Sequence, residues 1–355
     1  MTTHVFIVNA RSFPIHLKYL FAGTTAGDSR ASWTPLLADI KRVRPRDEVI
    51  FYVNLVGFYG TFRVAQATPL VLHESAEPGY LRDELGVRLI YRTLLEPATV
   101  YPHGVSEWDA LEKLPVYAKE VIWSLIYRKL KGERGCTPIF PHEASRLMNM
   151  IKDANPDGPL AASKAKGLTW DSNTERITLA EPATYKGALT PPPNVLGELV
   201  KRANKAHEAY LEAYFAEQAG IDPKLWPICG EPEKLKWLGN QVFCGVGMQK
   251  IDIFTILADE RNNKEFRIIE LKDEPIQGGI YKQLLRYINW TRCYIPDAIN
   301  SNVQPIVVSR RINGIETTDA IADLRALNKM NESKVVRWFE YWLEKNTLVF
   351  EEVYY

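Results

Sequence analysis

Cysteine is scarce, and its spacing excludes two common kinds of site. The chain has four cysteines, Cys136, Cys229, Cys244 and Cys293, and no two of them form a Cys-x-x-Cys pair. No two histidines have the spacing of zinc ligands either. A zinc site is therefore not predicted, and we interpret the cysteines as buried thiols in a reducing compartment.

The sequence also lacks a long apolar run. No stretch approaches the roughly 20 apolar residues that a membrane-spanning helix needs. The first residues, MTTHVFIVNARSF, lack the basic start and the long apolar core of a signal peptide. Both absences predict a cytoplasmic protein that makes no contact with a membrane.

An excess of charge of one sign is absent as well. The 44 Lys and Arg residues nearly balance the 43 Asp and Glu residues, which gives a net charge of +1. Because nucleic-acid binding needs a local basic surface and not a basic chain, this balance neither supports nor excludes DNA. At 355 residues the chain is long enough for two α/β domains with separate cores.

The most informative stretch runs from Lys250 to Tyr287. Two segments rich in Ile, Phe and Leu flank the polar sequence DERNNK, which predicts two strands joined by a turn. Facing residues of an antiparallel hairpin have a constant sum, so a turn centred on residue 261 places Asp252 opposite Glu270. Because side chains alternate along a strand, Glu270 and Lys272 share a face. The hairpin is expected to gather two carboxylates and one ammonium.

Such a cluster has a chemical use. Two close carboxylates stay ionised most readily with a cation between them. Carboxylate oxygens suit Mg²⁺, for which Mn²⁺ can substitute, and a lysine beside the ion can orient or deprotonate water. We therefore predict metal-assisted phosphodiester hydrolysis, with Asp252 and Glu270 as metal ligands and Lys272 beside the water. The alternative is that Glu270 and Lys272 lie on a solvated strand face.

This stretch resembles the PD-(D/E)xK nuclease superfamily. The resemblance rests on Asp252, on the Glu-Leu-Lys sequence at 270–272, and on a following helix with Gln283 and Tyr287. That helix is similar to the RecB-like branch, and the stretch is similar to archaeal endonucleases that act on mismatched or branched DNA. The family motif often has proline where this chain has Ile251. The resemblance implies a mixed sheet of the restriction-endonuclease type, and it implies that Gln283 and Tyr287 support the lysine or contact DNA.

The region before the hairpin is predicted to supply one more carboxylate. Residues 195–218 have apolar residues at helical spacing, and in the superfamily this helix often carries an acid. Glu208 and Glu212 lie one turn apart, and Glu208 is the first choice. Solvated helix charges are the alternative. The sequence further predicts strands at 237–243 and 304–310 and helices at 319–328 and 334–343.

Residues 1–151 have many short apolar segments and few helical ones, which predicts a small β-barrel with helices. An early strand is followed by Ser32 and Trp33 after a loop, then by a short helix and the sequence FYVNLVGFYGTFRV. This order resembles the YTH and EVE domains of the PUA-like class, and the segment 132–147 is similar to the end of those domains.

That second resemblance implies a reader of a modified base that is flipped out of the duplex. A flipped base is held by stacking on aromatic faces and by hydrogen bonds to its edge. Carried over by position, Trp33 is the main cage candidate and Asn54 is expected to contact the base edge. Phe58, Tyr59 or Trp108 is expected to close the cage. Ordinary core packing is the alternative for each aromatic residue.

Residues 152–194 are rich in Pro, Gly, Ala and Lys, which predicts an extended, exposed linker, with a short hairpin near Trp170 as an option. A nuclease domain is then expected over 195–355. The whole pattern predicts a modification-dependent DNA endonuclease of the restriction type, and a homodimer is expected because double-strand cleavage needs two active sites. The alternatives are a repair endonuclease and a non-catalytic nucleic-acid-binding protein. Neither the base modification nor the choice between DNA and RNA is decided by these motifs.

Overall fold

The structure is a computed structural model that describes residues 1–24, 30–65, 71–72, 80–106, 108–109, 135–162, 166–187, 193–201, 208–244, 249–315, 317–330 and 334–355. The chain divides into two compact units, Met1–Pro192 and Pro193–Tyr355. Each unit has its own sheet and its own buried apolar cluster. The protein is therefore a two-unit α/β protein, in agreement with the sequence.

The first unit is built on a curled sheet of seven strands. The strands are β1 (Thr3–Val8), β2 (Phe21–Thr24), β3 (Glu48–Val53), β4 (Gly57–Val64), β5 (Val71–Leu72), β6 (Tyr91–Pro97) and β7 (Cys136–Ile139). Their order is β2-β6-β4-β3-β1-β7, with β5 beside β6, and β1 and β3 run parallel. Because β1 and β3 are covered on both faces, they are apolar along most of their length.

Helices pack on this sheet through their apolar sides. The helices are α1 (Phe13–Tyr19), α2 (Arg30–Arg42), α3 (Arg82–Leu85) and α4 (Pro141–Asp153). Helix α4 begins at Pro141, and the Glu143 carboxylate accepts the Phe140 N–H at 2.7 Å, which satisfies a backbone donor at the helix start. Leu147 and Ile151 of α4 then pack into the core of the sheet.

The segment 152–194 differs from the extended linker that its composition predicts. It contains a hairpin of β8 (Gly167–Asp171) and β9 (Arg176–Ala180), which belongs to the first unit. Trp170 is buried and its ring lies 5.7 Å from the ring of Phe13. Ile177 is buried as well, and its N–H donates to the carbonyl of Pro102. Trp170 and Ile177 are cross-strand partners in the hairpin, and this pair anchors a segment that is otherwise rich in turn formers.

The second unit is a six-stranded mixed sheet whose strands follow chain order. Its strands are β10 (Leu235–Cys244), β11 (Gln249–Ala258), β12 (Lys264–Lys272), β13 (Val303–Arg310), β14 (Arg337–Glu344) and β15 (Thr347–Val353). Its helices are α5 (Val195–Lys201), α6 (Glu208–Gln218), α7 (Trp226–Cys229), α8 (Ile280–Tyr294) and α9 (Thr318–Met330), with 3-10 turns at Pro223–Leu225 and Asn300–Asn302. Strands β12, β13 and β14 run parallel to one another, and the other neighbouring pairs are antiparallel.

The β11–β12 hairpin has the predicted register. Ile253 pairs with Ile269, and the ladder runs back to Ala258 and Lys264 at the turn. In that turn the Asp259 carboxylate accepts the N–H groups of Arg261 and Asn263 at 2.9 and 2.8 Å. A polar turn closed by its own side chain sets the register of both strands, and with it the position of the residues beyond Ile253 and Ile269.

One predicted helix is wrong. Residues 334–343 were expected to be helical, but the chain forms β14 from Arg337 to Glu344. The sequence RWFEYWLE is rich in aromatic residues, which favour strands, and it pairs with β13 on one side and β15 on the other. Over so short a segment, pairing with two strands stabilises the extended conformation more than helical spacing of apolar residues stabilises a helix.

The core of the second unit lies between the parallel strands and two helices. Leu284 of α8 and Leu324 of α9 pack against Val307 and Trp338 of the sheet. This packing fixes α8 across the strand end where Glu270 and Lys272 lie. None of the helices in the described ranges is both long and apolar enough to cross a membrane.

Candidate active site

The hairpin ends on two acidic side chains. Asp252 and Glu270 follow the pair Ile253–Ile269 and are both buried. One oxygen of Asp252, Oδ2, accepts the N–H of Leu271 at 2.9 Å, so this carboxylate continues the ladder where backbone pairing stops. A buried acid that accepts a backbone N–H has a restricted side-chain orientation. Active-site carboxylates are commonly preorganised in this way.

Glu270 is the most enclosed acid of the group, with 1% of its surface exposed. Its Oε1 accepts from the Lys272 ammonium at 2.5 Å and from the Gln283 amide at 2.7 Å. Its Oε2 is buried and has no hydrogen-bond donor among the described residues. One oxygen of this carboxylate is therefore paired within the protein, and the other is left without a hydrogen-bond donor.

Helix α8 contributes two polar side chains to this group. Gln283 and Tyr287 lie one turn apart, so both project from the same face of the helix. The Gln283 Nε2 donates to Glu270 Oε1 and to the Tyr287 hydroxyl, each at 2.7 Å. The Tyr287 hydroxyl in turn donates to the Lys250 carbonyl at 2.6 Å. The two residues tie the helix to both strands of the hairpin and hold Glu270 in place.

Helix α6 brings both of its candidate acids toward the hairpin. Glu212 is buried, and its two oxygens accept from the Asn240 amide at 2.5 Å and from the Gln241 amide at 2.9 Å. Glu208 is half-buried, and its backbone N–H donates to Asp273 at 3.0 Å. Burial raises the pKa of Glu208, and the charge of Lys272 opposes that rise. Glu212 thus joins the hydrogen-bond network of Asp252, while Glu208 lies within electrostatic reach of Lys272.

Gln241 is the residue that the sequence did not single out. Its amide Nε2 donates to Glu212 at 2.9 Å and to Asp252 Oδ1 at 3.1 Å, so it joins two acids from different elements. It lies in the β10–β11 register between Asn240 and Val242, which places it beside Asp252. Its backbone is left-handed, with φ of 47°. Pairing of β10 with β11 was the signal that could have revealed it, because only that register puts an amide next to Asp252.

The electrostatics of the pair are those of two acids held together. Burial, and next the charge of Glu270, raise the pKa of Asp252 well above its usual value. Burial also raises the pKa of Glu270, although Lys272 and Gln283 oppose the rise. Burial lowers the pKa of Lys272, but the charge and hydrogen bond of Glu270 outweigh it, so that pKa is raised. One lysine therefore compensates only part of the negative charge of the pair.

These residues have a donor set that fits Mg²⁺. The carboxylates of Asp252 and Glu270 are close enough to shift each other's pKa, and carboxylate oxygens are the ligands that Mg²⁺ prefers. In the described residues no group of three His, Cys, Asp or Glu has the arrangement of a complete metal site. Mg²⁺ commonly binds through one or two carboxylates and keeps waters, so two protein ligands suffice. We call Glu212, Gln241, Asp252, Glu270 and Lys272 the carboxylate–lysine cluster.

The expected base-binding residues of the first unit are dispersed. Phe58 is fully buried and its ring packs 4.9 Å from the ring of Tyr52. Tyr59 points to the opposite face, where its hydroxyl donates to the Glu175 carbonyl at 3.0 Å and burial raises its pKa to about 12. Adjacent strand residues point to opposite faces, so Phe58 and Tyr59 cannot line one pocket.

The remaining three candidates are spread over helix, turn and surface. Asn54 is exposed in the turn between β3 and β4, where its N–H donates to the Val8 carbonyl at 2.8 Å. Trp108 is 73% exposed. Trp33 belongs to helix α2, and its side chain lies outside the described residues. No cage is therefore assembled from the candidates whose side chains the structure describes.

Comparisons with known proteins add little to this geometry. No family model matches the chain, and no curated protein matches it. Among solved structures, the NMR structure of Rpa0253 from Rhodopseudomonas palustris is 10% identical, covers 43% of this chain and 94% of its own, and has a TM-score of 0.27. A likeness of that size carries no argument about fold or function.

Proposed function

We propose that this protein is a metal-dependent DNA endonuclease whose second unit hydrolyses phosphodiester bonds and whose first unit recognises a modified base. The observation that carries the hydrolytic half is the buried oxygen of Glu270 that has no hydrogen-bond donor among the described residues, on a carboxylate that also contacts Lys272 and interacts with Asp252. Two acids and one lysine at the end of one hairpin are the groups that metal-assisted phosphodiester hydrolysis requires.

In this proposal each residue of the cluster has one task. Asp252 and Glu270 would hold Mg²⁺, which would supply a Lewis acid for the phosphodiester and would lower the pKa of the attacking water. Lys272 orients the water and balances the negative charge that develops on the phosphate oxygens. Because the Lys272 pKa is raised, the side chain stays protonated at neutral pH and acts as a charge and a donor.

The surrounding polar residues position the acids. Gln283 holds Glu270, and Tyr287 fastens Gln283 to the hairpin through the Lys250 carbonyl. The Gln241 amide contacts both Asp252 and Glu212, so the acid of α6 is coupled to the site through this amide. Side chains that orient the ligands of a metal commonly change activity by about 10–100-fold when removed.

The recognition half of the proposal rests on the sequence resemblance of residues 1–151 to modified-base readers. Trp33 stays the leading cage candidate, because Phe58 belongs to the core and Tyr59 is engaged with Glu175. A homodimer stays part of the proposal, since cutting both strands requires two such clusters. A non-catalytic role is disfavoured, since a site without chemistry gives no reason for a buried acid with an unsatisfied oxygen.

The experiment compares cleavage of duplexes with and without N6-methyladenine or modified cytosines, in Mg²⁺, by the wild type and by Lys272→Ala. We expect cleavage of a modified duplex by the wild type and a loss of at least about 10³-fold in Lys272→Ala, because charge stabilisation at the phosphate is removed. Lys264→Ala is the matched control, since Lys264 begins the same strand and pairs with Asp297 at the surface.

Three outcomes bear on separate parts of the proposal. Equal cutting of modified and unmodified duplexes removes the recognition half. Preferential cutting of mismatched or branched duplexes replaces it with repair. Undiminished cutting by Lys272→Ala, or calorimetry that shows no binding of Mg²⁺ or Mn²⁺, contradicts the hydrolytic half.

A further inference from the structure

Helix α8 is unusual in its charge. Its 15 residues, IYKQLLRYINWTRCY, contain Lys282, Arg286 and Arg292 and no acidic residue. The whole chain has almost as many acids as bases, 43 against 44. A helix with three cations and no acid is therefore a local departure from the balance of the protein, and it lies beside the carboxylate–lysine cluster.

Two of these cations lie on the exposed side of the helix. Lys282, Arg286, Asn289 and Cys293 are exposed and follow one another at intervals of four, three and four residues, which places them in one stripe. The opposite side is buried and consists of Ile280, Leu284, Tyr287, Ile288, Thr291 and Tyr294. We call Lys282 and Arg286 the α8 cation pair.

Neither member of the α8 cation pair is neutralised by a carboxylate in the described part of the chain. The Lys282 ammonium lies 5.8 Å above the ring of Tyr281, its neighbour. By contrast, other arginines of the second unit are tied to glutamates in ion pairs, as in Arg267–Glu265, Arg311–Glu340 and Arg337–Glu352. These three ion pairs neutralise their charges within the protein, whereas the charges of the α8 cation pair are exposed to solvent.

The α8 cation pair also adjoins the site. Gln283, whose amide contacts Glu270 at 2.7 Å, stands next to Lys282 and one turn before Arg286. Arg286 acts on the buried thiol of Cys244: burial, and next the charge of Glu270, raise the pKa of that thiol, and Arg286 opposes the rise. Arg286 and Glu270 therefore both shift the pKa of the same thiol, in opposite directions.

We propose that the α8 cation pair binds the phosphodiester backbone of duplex DNA and guides one strand toward Glu270 and Lys272. This inference rests on the proposed function and adds the surface by which the substrate is held. Residues one turn apart are about 6 Å apart along a helix, so the two cations contact neighbouring phosphates of one strand. Since the net charge is only +1, such a local patch must supply most of the attraction for DNA.

The test measures binding separately from cutting. The wild type and the double variant Lys282→Gln/Arg286→Gln, both full length, are titrated into a fluorescent 30-base-pair duplex in EDTA over a range of KCl concentrations. Each neutralised phosphate contributes about 0.9 to the slope of log affinity against log salt, so the variant should lose about 1.8 from the slope. We expect affinity at low salt to fall at least about tenfold, with the fold checked by circular dichroism.

The matched control is Arg325→Gln/Lys329→Gln on α9. These residues are also exposed cations one turn apart on a neighbouring helix, and they should leave the slope unchanged. If the two double variants lose slope equally, or if the α8 variant loses none while the wild type still cuts DNA, the α8 surface is overturned. A shallower slope for the α8 variant alone supports the α8 surface. This holds even if undiminished cutting by Lys272→Ala contradicts the hydrolytic half of the proposed function.

Discussion

The candidate functional residues lie together in the second unit and are dispersed in the first. In the second unit, acids and amides from α6, β10, β11, β12 and α8 hydrogen-bond to one another at the end of a hairpin. In the first unit, Phe58 and Tyr59 are adjacent in sequence but lie on opposite faces of the sheet. Strand alternation predicts where a carboxylate goes, whereas an aromatic residue near a turn serves a core as readily as a ligand.

Each unit also has buried titratable groups with shifted pKa values. The acids Asp252 and Glu270 have raised pKa values, so their charged forms are disfavoured in the fold. His16 of the first unit has a pKa lowered to about 4, mainly by burial, so it is held neutral. Two acids with raised pKa values can be stabilised by a bound cation. A neutral histidine that hydrogen-bonds to the Phe21 carbonyl can be packed in an apolar core.

The largest effect is expected from Glu270→Gln. The substitution keeps the size of the side chain but removes one proposed metal ligand and the anion that contacts Lys272. We expect the cleavage rate to fall at least about 10³-fold and Mg²⁺ to cease raising the melting temperature. Single-turnover cleavage and thermal unfolding with and without Mg²⁺ provide the two measurements.

Glu265→Gln is the control for that change. Glu265 lies on the same strand, but its partners are Arg267 and Lys334, away from the cluster. It should keep its rate and its response to Mg²⁺. A Glu270→Gln protein that cuts within tenfold of the wild type would remove Glu270 from the metal site and with it the contrast between the units.

The next effect tests the packing of the first unit. Phe58→Ala should lower the free energy of unfolding by about 3–5 kcal/mol, because it empties a fully buried position. Tyr59→Phe removes only the hydroxyl bond to Glu175 and should cost about 1 kcal/mol. Urea unfolding of both variants gives the comparison. A loss near zero for Phe58→Ala would show that the ring is free to serve a ligand.

An effect smaller than that of Phe58→Ala concerns pH. The pKa of His16 is 6.5 when unfolded and about 4 when folded, so between these values only the unfolded chain binds the proton. Stability should therefore fall as pH decreases, by about 2 kcal/mol between pH 7.5 and pH 5. His16→Asn should lack this part of the pH dependence. Equal pH slopes for both proteins in urea unfolding would refute it.

The sequence predicted those parts of the fold that depend on local periodicity. The β11–β12 register, the strand at 303–310 and the helix of Gln283 and Tyr287 follow from alternation, turn chemistry and helical spacing. The strand Arg337–Glu344 was missed, because its parallel pairing with β13 joins segments that are separated in the chain by helix α9; its other partner, β15, follows directly after a short turn. The hairpin at 167–180 was only an option in the sequence, since its anchoring through Trp170 is a tertiary contact.

The candidate site likewise has residues that local patterns predicted and residues that only tertiary contacts reveal. Asp252, Glu270, Lys272, Gln283 and Tyr287 lie together because one hairpin and one helix position them. Gln241 could not be found from its own neighbourhood, because it matters only through the pairing of β10 with β11 and through Glu212 on a different helix. The choice between Glu208 and Glu212 likewise depends on the angle at which α6 approaches the sheet, which no spacing encodes.

All members of the carboxylate–lysine cluster lie within Pro193–Tyr355, and none comes from the first unit. The cluster can therefore be inherited as one piece. Under the proposed function, an exchange of the first unit for another binding domain would redirect the protein to a different target and leave the chemistry intact. Proteins that share this second unit should accordingly keep the spacing of Asp252, Glu270 and Lys272 while the segment ahead of it diverges freely.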